Sequence, residues 1–285
     1  MRTQRKWIVS VLIIGVLACI GIPTVLISQQ LRQDNLDHAL ILAVKKLDAP
    51  SVTRLLDQGA NANARDTGGP SLTIHSLLMR LWLRMQHKPI SSGTNTSALG
   101  LLLTDAASTA SIIDNLASVD SIAVALIEHG GDFHVPVVDG TIPPLEVAVT
   151  LGMHKTVRTL LSKGADANCT DDRGFTPLMC SRSEDSKLLL EYGADVNARN
   201  LDGETPLYLV LASSTDQVRL LVEHGANVNA SIAGRSILCW AMFMQRSPSD
   251  KAETKAAIIR LLKQHGARLN QKDTAALAAS RIHAP

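Results

Sequence analysis

The stretch YGADVNARNLDGETPLYL, from Tyr192 to Leu209, places Asp195, Asn197 and Asp202-Gly203 close together. Oxygen side chains at such a density are what a hard cation needs. A calcium loop of the EF type beginning at Asp195 would require an oxygen ligand at its fifth position, glycine at its sixth and glutamate at its twelfth. Arg199, Asn200 and Pro206 stand there instead. Histidine is the next source of chemistry. His129, His224 and His265 each precede a glycine, in EHG, EHG and QHG. Zinc would require their rings to converge at about 2 Å from one ion, whereas a polar group at a helix C-terminus accounts for the spacing without a metal. The acids Asp171, Asp172 and Asp202 lie beside Arg173 and Arg199 and read as a solvated, mixed-charge rim.

No Ser-His-Asp or Cys-His set carries a recognisable nucleophile motif, and there is no Walker loop, GxGxxG or HExxH. Cys19, Cys169, Cys180 and Cys239 form no CxxC pair, and the last three read as small packing residues. An enzyme, a resident cofactor and a small-molecule substrate are therefore not expected. With 28 basic against 26 acidic residues and no basic stripe interleaved with aromatics, nucleic acid is a poor partner. Aromatics make up only 3% of the chain while apolar residues reach 46%, so the core must be built from Leu, Ala, Val and Ile. That suits stacked helices better than a sheet sandwich.

The elements that hold these residues emerge from self-similarity. Gly59-Ala-Asn-Ala-Asn63, Gly164-Ala-Asp-Ala-Asn168, Gly193-Ala-Asp-Val-Asn197 and Gly225-Ala-Asn-Val-Asn229 share one pattern, with Gly266-Ala-Arg-Leu-Asn270 and Gly130-Gly-Asp-Phe133 as weaker copies. From Gly130 onward their first glycines are 34, 29, 32 and 41 residues apart. A second motif keeps phase with the first: GFTPLMC at 174–180, GETPLYL at 203–209, GTIPPLEVAV at 140–149 and GRSILCWAM at 234–242. Between the two lie MHKTVRTLLSKG, DSKLLLEYG and DQVRLLVEHG, with Leu or Val at helical spacing and a closing glycine.

A period near 33, TPL opening one helix and LLxxGADVNA closing a second, resembles the ankyrin repeat family. The physical reading of the residues agrees. Thr176-Pro177 and Thr205-Pro206 suit a helix start, where proline loses no needed N–H. Gly164, Gly193 and Gly225 suit the left-handed residue that ends a helix. A single helix pair cannot bury its apolar face alone, but a stack can. The resemblance implies an all-α solenoid of about five to seven helix-turn-helix repeats with short β-hairpin loops, over residues 36–270, with 271–285 (QKDTAALAASRIHAP) as a C-terminal cap. In the slot of the family's TPLH histidine stand Glu146, Met179, Tyr208 and Cys239, which weakens a recurring inter-repeat hydrogen bond. Residues 70–130 are atypical. SLTIHSLLMRLWLRMQ predicts one longer helix over 71–86, followed by a loop over 87–97 and further helices over 98–129. Gly93 falls 34 residues after Gly59 and 37 before Gly130, which leaves open whether this region is one expanded repeat or two.

The N-terminus reads as an address. Arg2, Arg5 and Lys6 precede an uncharged run from Trp7 to Ile27, whose 21 residues at about 1.5 Å each can cross a hydrocarbon core of roughly 30 Å. A membrane anchor accounts for the whole run. A cleaved signal peptide fits Trp7 to Leu17, and GVLAC at 15–19 resembles a bacterial lipobox that would leave Cys19 lipidated. Basic residues before the span keep that end cytoplasmic, so under all three readings the rest lies outside, in the periplasm if the source is bacterial. Residues 1–28 are thus expected as anchor or signal segment and 29–35 as a short linker.

For ankyrin families the contact surface is the row of hairpin tips and the inner helices. Carried over, the tips are Arg65-Asp66-Thr67, Val137-Val138-Asp139, Asp171-Asp172-Arg173, Asn200-Leu201-Asp202 and Ser231-Ile232-Ala233. The expected function is a non-enzymatic scaffold, tethered through residues 7–27 and presenting this row to a protein partner. The alternative is an accessory or immunity-type protein that restrains one enzyme outside the cytoplasm.

Overall fold

The structure, a computed structural model, describes residues 28–66, 97–108, 115–211, 214–243 and 252–274. The apolar run, Cys19, the helix expected over 71–86 and most of the C-terminal segment lie outside them. Among the described residues no helix is long and apolar enough to cross a membrane. The chain divides into two compact units, Met1–Leu102 with Ala125–Asp132, and Leu103–Val124 with Phe133–Pro285.

The second unit is a run of helix pairs: Pro144–Leu151 with His154–Ser162, Pro177–Cys180 with Ser183–Glu191, Pro206–Val210 with Thr215–Glu223, and Ile237–Phe243 with Ala252–Gln264. The first helix of a pair is short and opens on proline in three of the four, with Pro177 and Pro206 where the sequence predicts them. Their fixed φ and missing N–H cost nothing at a first turn. Thr205 adds a side-chain cap on the Tyr208 N–H, whereas the Thr176 hydroxyl is buried without a partner. In the second helices Val157, Leu160 and Leu161, and likewise Val218, Leu221 and Val222, are buried. That i, i+3, i+4 stripe is what a helix packed on one side requires.

One asparagine per repeat fastens each pair to the next. The Asn168 side chain donates through Nδ2 to the Gly193 carbonyl (3.0 Å) and accepts at Oδ1 from the Asp195 N–H (2.7 Å). Asn197 does the same to Gly225 and Asn227, and Asn229 to Gly266 and Arg268. A carboxamide carries both a donor and an acceptor, so one residue satisfies two backbone groups left over where the preceding helix ends. The asparagine closing each of these turns therefore belongs to the stack.

The same clasp recurs in the first unit. Asn63 donates to the Gly130 carbonyl (2.9 Å) and accepts from the Asp132 N–H (2.6 Å). Ser97 pairs with Arg65 and caps the helix Ala98–Ser108 by accepting from the Gly100 N–H, so Ser97-Ala98-Leu99 fills the place of Thr-Pro-Leu. The turn at Gly59 is thus clasped directly to the turn at Gly130, with the pairing that joins successive repeats in the second unit. At Gly59 itself the two backbone groups are met by Gln33, which donates to the Gly59 carbonyl (3.0 Å), and Asp37, which accepts from the Asn61 N–H (2.8 Å). Both belong to a helix that runs from 28 to 45. Residues 29–35, expected as a linker, are therefore helical and help begin the ladder.

At the far end, 271–274 form a helical turn started by a reciprocal cap. Asn270 Oδ1 accepts from the Asp273 N–H (2.8 Å), and Asp273 Oδ2 accepts from the Asn270 N–H (2.9 Å). Asp273 is 0% exposed and also takes the Ser236 hydroxyl and N–H. Burial pulls its pKa up, and the bonds from Ser236, Asn270 and Cys239 outweigh that, leaving the carboxyl below its usual range.

Strand structure is sparser than expected. The only named pair among the described residues is Ser231–Ile232 with Arg235–Ser236, with isolated bridges at Arg65–Ser97 and Val137–Ile142.

Candidate functional site

The loops between helix pairs form the second unit's most exposed chemistry, and side-chain hydrogen bonds shape them. In the loop 171–175 the Asp171 carboxylate accepts from the Arg173 and Phe175 N–H groups (3.0 and 2.7 Å). In the next, Asn200 Oδ1 accepts from the Asp202 and Glu204 N–H groups, and Nδ2 donates to the Glu204 carboxylate (2.8 Å). These are Asx turns, which leave the side chains between them facing water. The two loops touch, with the Leu201 N–H donating to the Arg173 carbonyl (3.1 Å). Gly174, at φ +76°, permits that approach, because a Cβ there would stand 3.2 Å from the Leu201 nitrogen. Arg199 continues the row by donating to the carbonyls of Gly203 (3.2 Å) and Ser231 (3.4 Å).

This geometry sorts the expected contact residues. Leu201 is 79% exposed at the head of its loop, and Asp172, Arg173 and Asp202 are exposed beside it. Asn200 is only 6% exposed and spent inside its own turn, so it shapes the tip without presenting itself, and half-buried Asp171 does the same. Two expected tips move. Residues Val138–Thr141 form one helical turn instead of a hairpin tip, bracketed by the Val137–Ile142 bridge; the Asp139 side chain lies outside the description. In the last hairpin Ile232 is buried and the turn is Ala233-Gly234, both at positive φ, because this loop is one residue shorter than its relatives. In the first unit Arg65 is exposed and bridged to Ser97, and Asp66 pairs with Lys45 at 2.6 Å.

The residues weighed for metal and nucleophile chemistry are committed to structure. His129, His224 and His265 each turn Nδ1 to the carbonyl four residues earlier, Ala125 (2.8 Å), Leu220 (2.8 Å) and Leu261 (3.0 Å). They help close their own helix ends. Among the described residues no group of three or more metal-ligating side chains assembles. Cys169, Cys180 and Cys239 carry free thiols. Burial first, then neighbouring carboxylates, pushes Cys169 and Cys180 up to about 12 and Cys239 to about 11, far from a reactive thiolate.

One joint carries titratable groups that the motifs alone did not point to. Glu146, in the slot of the family's histidine, is 5% exposed. One of its oxygens accepts the Cys180 thiol at 3.9 Å from the next repeat, and the other has no partner. Burial, reinforced by the charges of Asp171 and Asp172, raises its pKa to about 7 against the pull of the Cys180 bond. Across the same joint His154 Nδ1 meets the buried Asp185 at 2.8 Å. That hydrogen bond, with the charges of Asp185, Glu184 and Asp120, raises the His154 pKa against the effect of burial. The signal was one of phase, since Cys180 follows Glu146 by 34 residues and Asp185 follows His154 by 31, each close to one repeat.

Comparison with known proteins agrees with this geometry. The chain is 36% identical over 73 residues to an ankyrin repeat-containing protein of Schizosaccharomyces pombe, covering 24% of this chain and 35% of that one. It is 37% identical over 70 residues to a putative ankyrin repeat protein of Pyrobaculum aerophilum, covering 25% and 27%. To the neurogenic locus Notch protein of Drosophila melanogaster it is 31% identical over 103 residues, 34% of this chain and 4% of that one. The chain thus matches about a third or less of the length of these relatives. The family profile for ankyrin repeats matches in three copies, at residues 115–200, 145–232 and 181–273. Those matches span more than half of the chain, which belongs to the ankyrin repeat family.

Proposed function

We propose that this protein is a non-enzymatic interaction module whose loop row, from the tip at Asp172-Arg173 to the hairpin at Arg235, is the surface that grips a protein partner. Ankyrin repeats generally mediate protein–protein interaction. The observation that carries the reading for this chain is Leu201. A large apolar side chain left 79% exposed at the head of a loop, on a turn rigidified by Asn200 and clasped to its neighbour, is a preorganised anchor. The address of the module is part of the same proposal. The charge asymmetry around residues 7–27 supports a membrane tether with the repeats outside the cytoplasm, and a lipid on Cys19 or cleavage near it would leave them on the same side.

One experiment addresses both parts. Intact cells are labelled with a biotin reagent that does not cross the cytoplasmic membrane, and the full chain is then purified from solubilised membranes. The expected result is co-purification of protein partner bearing biotin. Partner recovered unlabelled would sink the external address, and recovery of the chain alone would sink the binding reading. One stoichiometric enzyme in the eluate would identify the accessory or immunity-type role.

A further inference from the structure

We propose that the last two loops of the row, around Arg235 and Trp240, receive an acidic extended segment of the partner, through carboxylates set beside apolar side chains. The inference rests on the reading of the loop row as the binding surface and specifies the partner's chemistry at one end of it.

Aromatic residues are scarce here, eight in the whole chain, yet three of them gather at this end. Tyr208 and Trp240, from successive first helices, meet edge to face at 5.4 Å. The indole is held against the hairpin by its Nε1, which donates to the Ile232 carbonyl (3.1 Å). Arg235 lies over both the Trp240 ring (5.5 Å) and the Phe243 ring (5.7 Å). None of the three aromatics is buried, so they form a platform and not a core. A guanidinium stacked on rings keeps its in-plane N–H groups directed outward, the geometry that takes a carboxylate in bidentate fashion.

The charges around the platform select the sign of the partner. Arg199, Arg235 and Lys272 are exposed, with the Lys272 ammonium beside Gly234 in the turn. Among the described residues none of the three is in an ion pair with a carboxylate. The carboxylates that could neutralise them are turned inward, Glu204 to Asn200 and Asp273 to Ser236 and Asn270. Asp202 is the one exposed carboxylate on these two loops, and it stands at the tip beside Leu201. Three exposed cations with no carboxylate paired to them among the described residues, an aromatic floor and an exposed leucine on the adjacent loop have the composition of a binding hot spot. Their charge repels a basic segment.

The test uses the full chain in detergent and two fluorescein-labelled twelve-residue peptides of Leu and Phe, alternating with Asp in one and with Lys in the other. Fluorescence anisotropy is expected to show binding of the Asp peptide, weakening as salt rises. Arg235→Glu should weaken it at least tenfold and Arg235→Gln by less, with unchanged circular dichroism, while Arg219→Glu, exposed on the helix Thr215–Glu223, should not matter. Equal binding of the Lys peptide, an unaltered affinity in Arg235→Glu, or no binding of the Asp peptide would each overturn the inference. A partner that still crosslinks to position 201 in those cases would leave the binding surface itself standing.

Discussion

Asp273→Ala is expected to lower the stability of the last repeat by about 4 kcal/mol, the largest effect of any single substitution considered for this chain. The carboxylate is fully buried and receives the Ser236 hydroxyl, the Ser236 N–H and the Asn270 N–H. Alanine would strand all three donors, and each unmet buried donor costs about 1–3 kcal/mol. The damage should be local, because a stack loses cooperativity from its ends. Hydrogen exchange is expected to accelerate over 234–243 and 252–270 and to stay unchanged over 177–191. Asp273→Asn keeps an acceptor and should cost less. An exchange pattern unaltered by the alanine would show that the terminal turn does not cap the stack.

Stability is expected to fall as pH rises from about 5 to 8. Glu146 holds its proton in the folded chain up to about 7, whereas the unfolded chain releases it near 4.5. Its contribution is therefore complete below the unfolded value and declines through neutrality. His154, with a folded pKa raised above 6.5, contributes fully below 6.5 and loses that contribution as pH climbs through the raised value, so both groups act in one direction. For Glu146 the shift corresponds to about 3–4 kcal/mol at about 1.4 kcal/mol per unit. The groups facing it are Asp171 and Asp172 from the loop and the thiols of Cys169 and Cys180, and none of them neutralises an ionised carboxylate. Urea midpoints of the wild type should thus drop between pH 5 and pH 8, and Glu146→Gln should flatten most of that slope and unfold later than wild type at pH 8. A flat wild-type profile, or an equal slope in the variant, contradicts this account of the joint.

The repeat architecture was legible because its punctuation is local. Thr-Pro at a first turn and glycine at a helix end declare themselves within a few residues, and Pro177, Pro206 and the glycines from Gly164 to Gly225 stand where they were expected. Pairings one repeat apart were less so. Asn63 reaches Gly130 across 67 residues, and no fixed period reveals a pairing at that distance. Gln33 and Asp37 lie four apart on a helix, but their role as substitutes for a ladder asparagine depends on where that helix docks. The shape of the tips was half legible. Asx residues mark a tip, yet an acceptor strong enough to make the turn is drawn into it, which is why Asn200 is buried while Leu201 next to it is not. Glu146 was visible as a departure from the family's histidine, and its raised pKa comes from burial, which the motif does not carry.

The most direct test of the loop row as the binding surface is photo-crosslinking in cells from two positions. A photoreactive residue at position 201 on the exposed tip is compared with one at position 219, an exposed position on the helix Thr215–Glu223. The predicted result is a discrete crosslinked partner from 201 and none from 219. Crosslinks from 219 with none from 201 would place the partner away from the loop row and contradict the account.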